Sequence, residues 1–139
     1  MKKLMATIFA STLILAGCSS TNSASNSETS KVAKATNLSA ADFAGAILEN
    51  SVETIDVRTP SEYLTSHIKG AVNIDVENAN FESEIEKLDK AKVYAVYCHS
   101  GRRSQIAVEK MAAAGFKNLY NLENGIADWI ARGWPVTSS

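Results

Sequence analysis

The sequence predicts an α/β fold in which a mainly parallel central sheet is flanked by helices on both faces. Short β-branched and aromatic segments alternate with amphipathic segments of about ten residues, which is typical of a parallel sheet. The segment 92–97 is apolar nearly throughout, as expected of a central strand that is covered on both faces. The length of 139 residues with only two cysteines predicts one domain and excludes a disulfide-rich scaffold.

The first predicted elements alternate strand and helix. Residues 37–38 form a short strand, and Ser39 is the N-cap of a helix that extends to about Glu49. A β-branched segment at 54–57 predicts the next strand. The segment 59–62 then contains a capping box with proline at the first helical position, so a brief helix begins there.

The same alternation continues to the end of the chain. Glycine follows the longest of the later amphipathic segments, as expected at the C-terminal end of a helix. The remaining predicted elements are a strand at 71–74, a helix at 81–88, a strand at 92–97, a helix at 104–114, a strand at 118–122 and a helix at 126–131.

Residues 1–17 are predicted to be an export signal. Two lysines precede an uncharged apolar segment, 4–16, which is too short to span a bilayer core that requires ~20 helical residues. The segment ends in Leu15-Ala16-Gly17-Cys18, which resembles the lipobox of bacterial lipoproteins. This resemblance implies that Cys18 is lipidated and becomes the new N-terminus. An ordinary secretory peptide with a chance cysteine, or an uncleaved anchor, remains an alternative.

The composition changes twice after the signal. Residues 18–36 are rich in serine, threonine and asparagine and are predicted to be a flexible tether, whereas 37–139 form the folded domain. We therefore expect a protein of the bacterial cell envelope that is held to the membrane by its N-terminal lipid, with the domain facing the periplasm. Ser19 after the lipobox cysteine favours the outer membrane in bacteria that resemble the enterics.

The charge balance excludes several classes of partner. There are 14 basic and 15 acidic side chains and no long basic segment, so we expect no nucleic-acid partner. Only two histidines and no pair of neighbouring cysteines are present, so we expect no metal site, and nothing in the sequence calls for a cofactor.

Cys98 is the leading candidate for a catalytic residue. It follows the predicted central strand at the carboxyl edge, where ligands of parallel sheets bind. The loop that follows, C-H-S-G-R-R-S, leads into a helix, and Gly101 permits the φ values that such a tight loop requires. Backbone N–H groups, the helix dipole and two arginines favour a thiolate there. The candidate substrate-binding residues are His99, Ser100, Gly101, Arg102, Arg103 and Ser104, together with Arg58.

Several motifs in register identify the domain as similar to the rhodanese (thiosulfate sulfurtransferase) family. The motifs are Asp56-Val57-Arg58, Glu62-Tyr63, the segment 67–74, a C-x-x-G-x-R loop at 98–103, and the segment 121–125 with Trp129. The resemblance implies that Cys98 takes the outer sulfur of a donor such as thiosulfate as a persulfide and passes it to cyanide or a thiol. The implied partners are small sulfur-containing anions or thiols, with a protein sulfur acceptor as a further candidate.

The roles of the polar residues near Cys98 remain open at this stage. Arg58 and Arg103 either bind substrate oxygens or make structural pairs, in the case of Arg58 with Asp56 and a loop carbonyl. His67 is expected to be structural, and His99 is expected to pack in the loop or face solvent rather than act as a general base. Ser66 replaces a glycine of many relatives, which would be strained if a positive φ were required, and Asn124 replaces another.

Two other functions compete with sulfur transfer. Phosphatases of the tyrosine and cell-cycle types have a C-x5-R loop that cradles phosphate, whereas this loop is the shorter C-x4-R. Arsenate reduction requires a resolving thiol, and Cys98 is the only thiol outside the predicted signal and lipidation segment. Some rhodanese-like domains are non-catalytic binding or regulatory modules, but these commonly lack the cysteine.

Overall fold

The computed structural model of the protein describes residues 34–139. The predicted signal peptide 1–17, the lipidation site Cys18 and the tether as far as residue 33 lie outside the described residues. Within 34–139, no helix is both long enough and apolar enough to cross a bilayer.

The described residues form five strands and five helices. In chain order they are β1 (Thr36–Leu38), α1 (Ala40–Ile47), β2 (Val52–Asp56), α2 (Pro60–Thr65), β3 (Val72–Asn73), α3 (Phe81–Ile85), β4 (Val93–Tyr97), α4 (Arg102–Ala113), β5 (Asn118–Leu122) and α5 (Gly125–Ala131). The sheet order is β1-β5-β4-β2-β3, and every strand pair is parallel. The predicted α/β class and the central position of the strand before Cys98 are therefore confirmed.

The central strand β4 divides the core into two layers. Tyr94, Val96 and Cys98 pack on one face of the sheet with α3 and α4, whereas Ala95 and Tyr97 pack on the other face with α1 and α5. Successive side chains of a strand point to opposite faces, so an unbroken apolar segment is what two covered faces require. The side chain of Cys98 therefore lies on the same face of the sheet as those of Tyr94 and Val96, the face covered by α4.

Several predicted boundaries differ from the structure, among them those of α4, α3 and β1. Helix α4 begins at Arg102 rather than at residue 104, because Gly101 is its N-cap with φ 92° and the chain turns into the helix at once. Helix α3 ends at Ile85 rather than at 88, because Lys87 and Leu88 bond to carbonyls three positions back, in a tighter turn. Strand β1 begins at Thr36, one residue inside the predicted tether.

Candidate active site

Cys98 lies directly beyond the carboxyl end of β4, with its side chain in the core. Its Sγ accepts a hydrogen bond from the Gly101 N–H at 3.1 Å and lies 3.4 Å from the Ser104 hydroxyl oxygen. That hydroxyl also lies 3.1 Å from the Gly101 carbonyl oxygen, which holds it in place beside the sulfur. The Gly101 amide, and the Ser104 hydroxyl when its one hydrogen points to the sulfur rather than to the carbonyl, favour negative charge on the sulfur. Cys98 is only 1% exposed.

The curvature of the loop is fixed by its packing against the start of α5. The Ile126 N–H donates to the Cys98 carbonyl at 2.8 Å, and the Ala127 N–H donates to the His99 carbonyl at 3.0 Å. Gly125 has φ 65°, and a Cβ there would overlap backbone atoms of His99 and Ser100. The loop carbonyls thus bond to α5, while the Gly101 amide remains free to face the sulfur.

A second close approach involves Gly101 itself. Its φ of 92° lies in the left-handed region, and an added Cβ would overlap the carbonyl oxygen of Glu123. The sequence predicted that Gly101 adopts a conformation suited to glycine, but nothing in the sequence indicated that the cysteine loop packs directly against Gly125. Only the juxtaposition of the two segments in space reveals that contact.

The structure places Arg58, a candidate substrate-binding residue, in a buried ion pair, which is the structural alternative of the two roles left open by the sequence. Its guanidinium binds both carboxylate oxygens of Asp56, at 2.6 to 3.1 Å, and also donates to the Ser66 carbonyl at 2.6 Å. Arg58 is 3% exposed and Asp56 is fully buried. Burial lowers the pKa of Arg58, but the hydrogen bond and charge of Asp56 outweigh it, so the pKa is raised. Ser66 has φ −165°, extended backbone, so the strain considered at that position does not arise.

His67 is part of the packing that holds the segment after α2. Its ring stacks on Tyr63 with centroids 3.8 Å apart, and its Nδ1 lies 2.8 Å from the Tyr63 carbonyl oxygen. Its backbone exchanges two hydrogen bonds of 2.8 Å with Thr137 near the C-terminus. The structure therefore places His67 in a packing role.

Arg103 is held by two carboxylates. Its guanidinium makes a bidentate pair with Glu62, with two contacts of 2.8 Å, and lies 3.2 Å from a Glu77 oxygen. The hydrogen bond from Arg103 lowers the pKa of Glu62 to about 2, burial opposes this shift, and hydrogen bonds from Thr59 add to it. The pKa of Arg103 is correspondingly raised, first by that same hydrogen bond. Much of the charge of Arg103 is thus already balanced by carboxylates, and Glu77 is a site residue that the sequence did not indicate.

The outer side of the loop borders a surface depression of about 370 Å³, which we name the entrance depression. His99, Ser100 and Arg102 of the loop are exposed, and the last two line this depression. Its lining residues are Val76, Glu77, Ser100, Arg102, Arg103 and Ile106. Cys98 and Val76 belong to the same buried cluster, so the sulfur lies in the layer that underlies this surface.

A depression of about 390 Å³ between the start of β1 and α4 is a weaker candidate for the site. Its polar lining consists of Lys34, Asn37, Gln105 and Glu109, and it includes no residue of the cysteine loop 98–103. Size alone does not identify the site; the entrance depression is favoured because it borders the cysteine loop. Within residues 34–139, no group of histidine, cysteine and acidic side chains is arranged to hold a metal ion.

Comparison with known proteins agrees with this geometry. The family model for the Rhodanese-like domain matches residues 39–132. Thiosulfate sulfurtransferase GlpE of Coxiella burnetii is 32% identical over 85 residues, which cover 61% of this chain and 78% of GlpE. Putative sulfur carrier protein YrkF of Bacillus subtilis is 34% identical over 84 residues, which cover 60% of this chain but only 44% of YrkF.

A solved structure shows the same architecture. The crystal structure of a rhodanese-related protein from Thermoplasma volcanium superposes with a TM-score of 0.66 at 32% identity, over 75% of this chain and 99% of that one. The family match spans well over half of the sequence and includes the cysteine loop and all five helices. The chain therefore belongs to the rhodanese-like domain family.

Proposed function

We propose that the protein is a sulfurtransferase that moves a sulfane sulfur from a donor such as thiosulfate to cyanide or a thiol through a Cys98 persulfide. The observation that carries this proposal is the sulfur environment, in which Gly101 N–H donates to Sγ at 3.1 Å and the Ser104 hydroxyl lies at 3.4 Å. A fixed amide donor and a neighbouring hydroxyl at a strand end suit a sulfur that carries negative charge before and after transfer. The similarity to GlpE, itself named a thiosulfate sulfurtransferase, supports the same chemistry.

The first half-reaction forms one S–S bond and breaks another. The Cys98 thiolate attacks the outer sulfur of thiosulfate, and sulfite leaves with the electron pair of the broken bond. Cys98 then carries a persulfide anion. An acceptor thiolate or cyanide attacks the outer sulfur of the persulfide, becomes a persulfide or thiocyanate, and releases Cys98 as a thiolate. No external oxidant or reductant is consumed.

The burial of Cys98 sets a condition on this cycle. At 1% exposure, the resting thiol is covered, so a donor reaches it only when residues around the loop move aside. The same burial is the observation that favours the second candidate, a non-catalytic binding or regulatory module. The two functions differ in whether Cys98 accepts sulfur.

The distinguishing experiment uses the full-length chain and its two cysteines. Purified protein is incubated with thiosulfate and analysed by mass spectrometry, and thiocyanate formation is measured after cyanide is added. We expect a sulfur adduct of +32 Da on Cys98 and turnover, both abolished by Cys98→Ser. Cys18→Ser is the matched control, because it removes the other cysteine and retains both signals. A wild-type protein that is inert with several sulfane donors and shows no adduct would establish the binding module instead.

We also propose that the domain is lipid-anchored in a bacterial cell envelope and faces the periplasm. The lipobox-like segment before Cys18 supports this proposal. Metabolic labelling with palmitate in a bacterial host should mark the wild-type protein and leave Cys18→Ala unlabelled. Equal labelling of both proteins would contradict lipidation at Cys18.

A further inference from the structure

The charges around the entrance depression nearly cancel. Arg102 and Arg103 contribute two positive charges, and the Glu62 and Glu77 carboxylates that bind Arg103 contribute two negative ones. Glu77 is well exposed, with 60% of its side chain accessible, and it lines the depression directly. An inorganic dianion that enters here meets a carboxylate beside a cation that is already paired.

The depression is also larger than a small inorganic anion needs, and two of its lining side chains are apolar. Its volume of about 370 Å³ falls in the range of sites that bind organic molecules. Ile106 is 42% exposed on α4 and lines it together with Val76. An exposed isoleucine at this position offers apolar contact to the carbon body of a substrate.

The inference drawn from these observations rests on the sulfur transfer proposed above and refines its substrate class. We propose that the entrance depression selects organic sulfane donors of low charge over the thiosulfate dianion, and that Glu77 is the residue that determines this selectivity. Glu77 acts through its own charge and by pairing with Arg103 at 3.2 Å. Ile106 supplies the apolar contact for the organic group.

Two sulfur donors of different charge make it possible to distinguish the effect of donor charge from that of intrinsic donor reactivity. Benzenethiosulfonate is a monoanion with an apolar ring, and thiosulfate is a dianion. With either donor, Cys98 attacks the outer sulfur and becomes a persulfide. The leaving group is benzenesulfinate in one case and sulfite in the other, and each departs with the electron pair of the broken bond. The informative quantity is therefore the ratio of kcat/KM for the two donors in each variant, because intrinsic reactivity cancels between variants.

The experiment compares Glu77→Gln with the wild-type full-length chain. Glu77 is well exposed, so a dielectric of roughly 40–80 applies, and a unit charge about 6 Å from the added charge of thiosulfate alters binding about three- to tenfold. We expect the benzenethiosulfonate to thiosulfate ratio to fall by about that factor in Glu77→Gln at low salt. The fall should shrink at 1 M salt, where the Debye length is about 3 Å. A purely structural role for Glu77 would change both donors equally.

Two matched controls complete the test. Glu82→Gln removes another well-exposed carboxylate, which pairs with Lys110 on a different part of the surface, and it should leave the ratio unchanged. Ile106→Asn should lower kcat/KM for benzenethiosulfonate relative to methanethiosulfonate, whereas Ile130→Asn, a similarly exposed isoleucine on α5, should not. Turnover with an unchanged ratio in Glu77→Gln overturns this inference alone. A wild type inert toward every donor overturns the proposed function and this inference with it.

Discussion

Replacing Gly125 with alanine tests whether packing against the start of α5 determines the conformation of the cysteine loop, residues 98–103. The new Cβ would overlap the His99 carbonyl and the Ser100 amide nitrogen, and the φ of 65° is unfavourable for any residue with a Cβ. Backbone atoms cannot move aside as the end of a flexible side chain does. Either the loop shifts away from α5 or the start of α5 unwinds.

The expected loss of stability has three sources. A left-handed conformation costs roughly 1–2 kcal/mol with a side chain present, and displacement of packed atoms costs roughly 1–3 kcal/mol. Separation of the loop from α5 breaks the hydrogen bonds from Ile126 and Ala127, each contributing about 1 kcal/mol. Gly125→Ala should therefore lower the free energy of unfolding by about 4–7 kcal/mol, a large part of the ~5–15 kcal/mol of a typical domain.

Urea unfolding measures this loss, with two glycines as controls. Gly133 has φ 77° and nothing within 4 Å of an added Cβ, so Gly133→Ala should lose only the conformational part, about 1–2 kcal/mol. Gly45 lies in α1 with open space around it, and Gly45→Ala should stabilise by roughly 0.5–1 kcal/mol. In folded Gly125→Ala protein, sulfur transfer should fall about 100-fold, since the Gly101 amide is displaced. A stability loss no greater than that of Gly133→Ala would refute the proposed packing.

Two further substitutions test the charged residues. Glu62→Gln should lower the free energy of unfolding by about 1–2 kcal/mol at pH 7, a figure reduced for the partial exposure of the pair. Because the pKa of Glu62 is lowered to about 2 from 4.5 in the folded state, this contribution is complete above pH 4.5 and disappears as the pH falls toward 2. Urea titrations between pH 2 and 7 would show it, and a constant difference would contradict the ion pair. Asp56→Asn leaves Arg58 buried without a full partner, so it should lower the free energy of unfolding by about 3–5 kcal/mol, measured by thermal or urea unfolding. A loss below about 1 kcal/mol would disprove the buried pair.

Local signals predicted most of the fold. The apolar segment at 92–97 indicated a central strand because burial on both faces leaves no room for polar side chains, and β4 occupies that position. The capping box at 59–62 indicated the start of α2 because both of its hydrogen bonds lie within one turn. Boundaries were less accurate where tertiary packing decides them, as at Gly101, whose position against Glu123 fixes the start of α4.

The site was predictable only in its local part. Cys98 and the Gly101 turn follow from a strand, a loop and a helix adjacent in sequence. The partners of Arg103 cannot be inferred in this way, because Glu62 and Glu77 are distant from it in sequence. The sequence shows that arginines are present, but it does not show which carboxylates fold against them.

The source of thiolate stabilisation therefore differs from the simplest interpretation of a doubly basic loop. The guanidinium of Arg103 is shared between two carboxylates, so its field at the sulfur is largely offset. The donors in contact with Sγ are the Gly101 amide and, at a longer distance, the Ser104 hydroxyl, and both are buried. Buried dipoles are screened by salt far less than exposed charges. The reactivity of Cys98 toward an uncharged alkylating reagent should then vary little with ionic strength, whereas selection among charged donors at the entrance depression should vary strongly.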